Sequence, residues 1–306
     1  MFVFASEARS EDKLSVFVSI VPQRYFVRQI GKELVDVHAM VPPGDDPHTY
    51  EPKPRQMVSL ATAKLYFAIG IEFEAARLKK ILSTNTQIKV VHTDEGIQKI
   101  PMTEGTDHSE GQHDHSGLDP HIWLSPPLVM IQARTILNAL QEVDPVNRSK
   151  YESNFKAFMA ELVDLDADLK KIFANRQGLR FMVFHPSWDY FARSYGLVQV
   201  PVEIEGKSPK PAQIIELIEH ARENNIRIIF VQPQFSSKSA ELIAREIGGE
   251  VAMVDALAEN WSENLREVAK KFEAALKCSV FFPEGIPQEL GLAVEGLSRV
   301  GRILHQ

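Results

Sequence analysis

Residues 144–172, DPVNRSKYESNFKAFMAELVDLDADLKKI, are the stretch from which the organisation of the chain can be worked out. Apolar side chains recur along it at alternating spacings of four and three residues, the pattern of one long amphipathic helix. They are Tyr151, Phe155, Phe158, Leu162, Leu165, Leu169 and Ile172. No Gly or Pro interrupts the pattern after Pro145 until Gly178. An ordinary packing helix would show the same stripe, but the central position favours a rigid helix that joins two domains.

On both sides of this helix, short apolar runs alternate with helical patterns. Before it, strands are predicted at 14–21, 35–41, 65–69 and 89–92, and helices at 25–34, 55–63, 72–82 and 126–143. After it, strands are predicted at 180–184, 198–204, 226–231 and 251–254, and helices at 188–195, 211–224, 237–247 and 262–276. Such alternation indicates βαβ units and parallel sheets, and hence the α/β class.

The length of 306 residues is sufficient for two ordinary domains. We therefore predict an N-terminal α/β lobe (13–145), a linking helix (146–177), a C-terminal α/β lobe (178–278) and a tail (279–306). The sequence does not indicate the role of the tail.

The composition narrows the class of protein. Hydrophobic content of 44% and charged content of 25% are typical of soluble globular proteins. The net charge of −7 argues against nucleic-acid and anionic-membrane partners. A single cysteine, Cys278, excludes an intrachain disulfide. The first residues, Met1–Ala8, are apolar and small, as in the end of a secretory signal, although a frayed terminus would look the same. The signal is incomplete in this sequence.

Two loops present a histidine in similar fashion. The segment GDDPHTYEP (44–52) holds His48 between two prolines, and DPHIW (119–123) holds His121. Proline fixes its own φ and restricts the residue before it, so the first loop is stiff. Two further polar residues directly follow predicted strands, His185 after RFMVF and Asp255 after VAMV. Because ligands of open parallel sheets bind at the carboxyl ends of the strands, we expect these four side chains to meet between the lobes.

Three imidazoles and one carboxylate are a donor set for a divalent metal. Zinc prefers nitrogen ligands in a tetrahedral arrangement, whereas carboxylate-rich octahedral sites suit manganese or magnesium. The set therefore favours Zn²⁺ over Mn²⁺ or iron. Each residue also has a simpler interpretation: a lone histidine is commonly a surface residue, and Asp255 could cap the following helix.

The polar segment 94–119 interrupts the strand–helix alternation. It carries His108, His113 and His115 among Asp, Glu and Gly residues and has no apolar period. We interpret it as a mobile surface loop. Either it is a solvated linker, or its histidines capture metal weakly.

Several motifs resemble one known family, the metal-binding subunits of zinc/manganese ABC importers (cluster A-I solute-binding proteins). They are VPPGDDPHTYEPKP (41–54), DPHIWLSP (119–126), FHPSWDYFARSYGL (184–197) and EGKSPKPAQI (205–214), and YESNFKAFMAELVDLDADL (151–169) resembles the family's interdomain helix. They occur in the family's order, and the similarity runs from about residue 14 to residue 276.

The resemblance implies two lobes, each with a small mostly parallel sheet, one long backbone helix and a metal in the interlobe cleft. By this resemblance, His48 and His121 are the metal ligands of the first lobe, and His185 and Asp255 are the metal ligands of the second lobe. A histidine at position 185 is a trait of the zinc branch. The residues after Asp255, Ala-Leu-Ala, depart from the family's motif, so water or Glu51 could replace this ligand. From chemistry alone, Glu205 is a candidate for orienting one of the histidines.

The expected function is high-affinity extracytoplasmic binding of Zn²⁺ for delivery to an ABC importer permease. We expect a monomeric, periplasmic, non-catalytic protein. The alternatives are a manganese or iron receptor of the same family, a zinc-dependent hydrolase with Glu51 as its base, and an adhesin in which the metal is structural.

Overall fold

The structure is a computed structural model that describes residues 13–83, 85–102, 117–204 and 206–280. Its framework is two parallel sheets of four strands, one on each side of a long helix. The two-lobe α/β fold predicted from the sequence is confirmed. None of the helices in these residues combines the length and the apolarity needed to cross a bilayer.

The N-terminal sheet has the strand order β2-β1-β3-β4. Its strands are β1 (Leu14–Val18), β2 (Val35–Ala39), β3 (Leu65–Ala68) and β4 (Lys89–His92). The helices of this lobe are α1 (Val21–Gly31), α2 (Pro54–Leu60), α3 (Lys79–Leu82, preceded by a π-helical turn at Glu74–Leu78) and α4 (Pro126–Val143). Short 3₁₀ turns lie at Lys32–Leu34, Ile122–Leu124 and Pro145–Asn147.

The long helix α5 (Arg148–Phe173) lies between the lobes and packs against both. Its buried stripe runs from Tyr151 to Phe173. The predicted last member, Ile172, is half-buried, and Phe173 takes its place in the core. The ring of Phe158 packs on that of Phe26 in α1, and the ring of Phe173 packs edge-on against Phe191 of the C-terminal lobe. One helix therefore anchors the two halves to a common core.

The C-terminal sheet repeats the order of the first as β6-β5-β7-β8. Its strands are β5 (Arg180–Val183), β6 (Val198–Pro201), β7 (Ile228–Val231) and β8 (Glu250–Met253). Its helices are α6 (Asp189–Tyr195), α7 (Pro211–Glu223), α8 (Lys238–Glu246) and α9 (Trp261–Val280). In both sheets the first and third strands of the lobe form the centre.

One clear difference from the predicted elements is at the start of α1, which begins four residues earlier than expected. The apolar run 14–21 was predicted as strand throughout, but the strand ends at Val18. The side-chain oxygen of Gln23 accepts hydrogen bonds from the backbone N–H groups of Ser19 and Ile20, and so closes the helix N-terminus. A short apolar run cannot reveal such a turn, because strand and helix interior share its composition.

Candidate metal centre

The loop that carries His48 is held by its own side chains. The carboxylate of Asp46 accepts hydrogen bonds from the His48 backbone N–H at 2.9 Å and from the Thr49 hydroxyl at 3.0 Å. Gly44 has a positive φ of 85°, a conformation that side chains with a Cβ rarely adopt. The loop is therefore a formed turn that presents one imidazole at the edge of the N-terminal sheet.

His185 is placed by the C-terminal sheet. It follows β5, and the neighbouring strand β7 ends just before Gln232. The Gln232 side chain accepts a hydrogen bond from the His185 N–H at 3.2 Å and donates one to the His185 carbonyl at 2.6 Å. The backbone of His185 is therefore fixed on both sides at the carboxyl edge of the sheet.

His48, His121 and His185 come together between the lobes. One potential ligand atom from each lies within 4.8 Å of the others. The Nε2 atoms of His121 and His185 are 3.4 Å apart. Two nitrogen ligands of a tetrahedral zinc ion, each about 2.05 Å from the metal, are about 3.3 Å apart. The separation of the two atoms therefore fits a shared zinc ion.

Two buried carboxylates set the orientation of the same two imidazoles. The Nδ1 atom of His121 lies 2.7 Å from Asp119 Oδ1, and the Nδ1 atom of His185 lies 2.7 Å from Glu203 Oε1. A carboxylate only accepts, so in each pair Nδ1–H is the donor. When both imidazoles are neutral, each Nε2 atom carries a lone pair, and these two atoms lie 3.4 Å apart. Their repulsion is relieved when a cation lies between them.

The buried carboxylates of the site favour a bound cation as well. Asp119 and Glu203 are both buried, and within the described part of the chain their ion-pair contacts are with histidines alone. The second oxygen of Asp119, Oδ2, is buried and has no hydrogen-bond partner among the described residues. Burying two carboxylates away from Lys or Arg is costly unless a positive charge is supplied nearby. A bound divalent cation supplies it.

The third histidine is held more loosely. The Nδ1 atom of His48 lies 3.6 Å from Glu72 Oε2, and this carboxylate is 79% exposed. Glu72 was not identified from the sequence, because nothing local connects it with the loop at 44–52.

Aromatic and apolar side chains form the walls of the cavity. Phe235 stacks on the His185 ring with a centroid distance of 4.6 Å, and Trp123 lies 5.0 Å from the His121 ring. The other lining residues are Pro47, His48, Ile71, Pro120, Ser187, Gln232, Gln234, Ala256 and Leu257. Such walls keep water away from the imidazoles and strengthen their electrostatic interaction with a bound cation.

The structure does not bring Asp255 or Glu51 to the three histidines. The Oδ1 atom of Asp255 accepts hydrogen bonds from the Gln234 side chain at 3.1 Å and from the Leu257 N–H at 2.9 Å. Glu51 forms an exposed ion pair with Arg77 at 2.9 Å. A direct metal bond from either residue stays a prediction. His108, His113, His115 and Glu205 lie outside the described residues.

Sequence reasoning missed the partners of both buried histidines. Glu203, which was not predicted, contacts His185. The signal was the register of the sheet: Val183 pairs with Pro201, so the residues two positions further on, His185 and Glu203, also lie side by side. For His121 the signal was the Asp-Pro-His motif, whose Asp119 folds back onto the imidazole.

The comparisons with known proteins identify the family of the chain. Residues 16–275 match the family described as zinc-uptake complex component A, periplasmic (ZnuA). The chain belongs to the ZnuA family. It is 31% identical to the high-affinity zinc uptake system protein ZnuA of Bacillus subtilis (strain 168), over 80% of this chain and 79% of the relative. It is 29% identical to the manganese ABC transporter substrate-binding lipoprotein scaA of Streptococcus gordonii, over 79% and 80% of the two chains.

Solved structures of ZnuA proteins have the same fold. A crystal structure of ZnuA matches with a TM-score of 0.80 and 45% identity, and covers 87% of this chain and 100% of that one. A ZnuA deletion mutant with zinc bound matches with the same TM-score and identity, over 86% and 98% of the two chains. The two-lobe architecture is therefore that of the ZnuA family.

Replacing Glu203 with glutamine is expected to weaken zinc binding about tenfold or more. The variant keeps a hydrogen-bond acceptor for His185 but loses the charge that raises the imidazole's basicity, and such partners are typically worth 10- to 100-fold in metal affinity. The dissociation constant is measured by competition with a chromophoric chelator. Glu216→Gln, an exposed site on α7, is the matched control. Equal affinities for the two variants would show that Glu203 does not tune the site.

Proposed function

We propose that this protein is a periplasmic receptor that binds Zn²⁺ with high affinity and delivers it to the permease of an ABC importer. The observation that carries the proposal is the facing pair of Nε2 atoms, each backed by a buried carboxylate. Both carboxylates are paired with histidines, and among the residues that the structure describes no Lys or Arg pairs with them. Membership of the ZnuA family supports the role in uptake.

The donor set supports zinc over manganese. Three imidazoles form most of the site, and nitrogen donors suit zinc, whereas manganese favours oxygen donors. Relatives of both kinds exist: the Bacillus subtilis protein is a zinc uptake protein and the Streptococcus gordonii protein a manganese transporter subunit. The metal is therefore assigned from the donor atoms of this chain and not from the metal of a relative.

The fourth ligand is proposed to be Asp255. The proposal is supported by its neighbours in the chain, Ala256 and Leu257, which both line the cavity. On metal binding, the Oδ1 atom of Asp255 would lose its hydrogen bond from Gln234 and coordinate the metal instead. Four protein ligands leave no open position for a catalytic water, so the site is proposed to hold its metal as cargo without catalysing a reaction.

Metal analysis of the protein purified without added metal tests this function. We expect one zinc ion per chain, and a preference for Zn²⁺ over Mn²⁺ of about a hundredfold or more in direct competition, as the order of divalent affinities for nitrogen sites predicts. Delivery is measured with the membrane complex in liposomes, where the zinc-loaded protein should stimulate ATP hydrolysis and the metal-free protein should not. Retention of manganese in the presence of equal zinc would overturn the zinc assignment.

A further inference from the structure

Tyr190 is a tyrosine of the C-terminal lobe whose hydroxyl bonds to the N-terminal lobe. It lies in α6, close behind His185 in the sequence, and is only 5% exposed. Its hydroxyl donates a hydrogen bond to the carbonyl oxygen of Asp119 at 2.9 Å and accepts one from the Ile100 N–H at 3.0 Å. Burial raises the pKa of Tyr190 to about 12, so the donor proton is present at neutral pH.

The two backbone groups that Tyr190 contacts belong to two neighbouring segments of a short stem, which an isolated antiparallel bridge joins. Pro101 pairs with Leu118, and the Asp119 N–H donates to the Ile100 carbonyl at 2.8 Å. The Tyr190 hydroxyl therefore forms hydrogen bonds with both segments of the stem, at Ile100 and at Asp119, the end nearest the histidines. It gives the stem a fixed position relative to the C-terminal lobe.

The same end of the stem controls His121. The Oδ1 atom of Asp119 accepts hydrogen bonds from both the backbone N–H and Nδ1–H of His121, at 2.8 and 2.7 Å. Any displacement of the Asp119 backbone is thus passed on to the imidazole. His185 and Tyr190 lie on one short segment of the chain. The segment that carries His185 therefore also fixes His121, the histidine that faces it.

We propose that Tyr190 is an interlobe positioning residue, which sets the separation of the His121 and His185 Nε2 atoms by holding the backbone of Asp119. The inference rests on the proposed metal binding at these histidines. Two other interlobe hydrogen bonds of the described residues do not involve Asp119: the Trp123 indole donates to the Ala256 carbonyl, and the hydroxyls of Ser125 and Ser194 are 2.9 Å apart. They join the lobes without orienting His121 through its carboxylate partner.

The test compares Tyr190→Phe with Tyr195→Phe. Both variants remove a buried hydroxyl from the same helix and leave the ring in place, and the Tyr195 hydroxyl bonds Asp166 on α5, away from the histidines. We expect Tyr190→Phe to weaken zinc binding about tenfold, as for loss of a hydrogen bond to a buried group. Tyr195→Phe should bind as the wild type does. The visible spectrum of bound Co²⁺, which reports coordination geometry, should change for Tyr190→Phe alone.

A double-mutant cycle separates positioning from a general loss of structure. In a His121→Asn background the Tyr190→Phe substitution should have no further effect on zinc affinity, because the residue it positions no longer binds metal. Circular dichroism checks that every variant is folded. A tenfold loss that persists in the His121→Asn background, or a Tyr190→Phe variant equal to wild type, would overturn this proposal. Failure of the wild-type protein to bind zinc or cobalt would instead overturn the proposed function.

Discussion

Replacing His121 with alanine is expected to lower the affinity for zinc by about two orders of magnitude. Structural zinc sites are worth about 10–16 kcal/mol in total, so one of four ligands contributes about 3 kcal/mol, which is close to a hundredfold in Kd. His121 is buried, and its Nε2 atom lies 3.4 Å from that of His185. The measurement is zinc titration in competition with a chelator of known affinity.

Two further variants make this result specific. His121→Asn places an amide N–H where the imidazole Nδ1–H donates to Asp119, but removes the Nε2 atom, so the buried carboxylate keeps its partner. It should lose as much zinc affinity as His121→Ala and retain more stability. His92→Ala removes an exposed histidine of β4 and should bind zinc as the wild type does. Unchanged affinity and stoichiometry for both His121 variants would exclude this residue as a ligand.

Truncating Phe158 to alanine is expected to lower the free energy of unfolding by about 3–5 kcal/mol, the usual result for a buried phenylalanine. Phe158 is 1% exposed in the middle of α5, and its ring packs on Phe26 and Tyr25 of α1. The cavity left by the ring would separate the linking helix from the N-terminal lobe. Urea denaturation of the metal-free protein, followed by circular dichroism, measures the loss.

Val163→Ala is the matched control on the same helix. Its side chain is 52% exposed, and surface substitutions of this kind usually change stability by less than about 0.5 kcal/mol. If the two variants proved equally stable, the packing of α5 against α1 would not be an anchor of the fold.

Much of the architecture could be predicted because it depends on local patterns in the sequence. The apolar stripe predicted α5, the apolar runs predicted the strands, and the initial prolines predicted α4 and α7. These predictions came close to the observed bounds. One boundary that was predicted wrongly lies where a single side chain closes a turn. Gln23 does so at the start of α1, through bonds to Ser19 and Ile20 that no periodicity reveals.

The sequence by itself determined the two α/β lobes, the helix between them and the histidine-bearing loops at the carboxyl ends of strands. These depend on periodicity and on turn-forming residues, which act over a few positions of the chain. Only the tertiary structure decided which side chains meet. The pairing of Glu203 with His185 depends on the register of two parallel strands, and the bond from Tyr190 to Asp119 depends on how two lobes pack. Such contacts join residues far apart in the chain, so no local pattern encodes them.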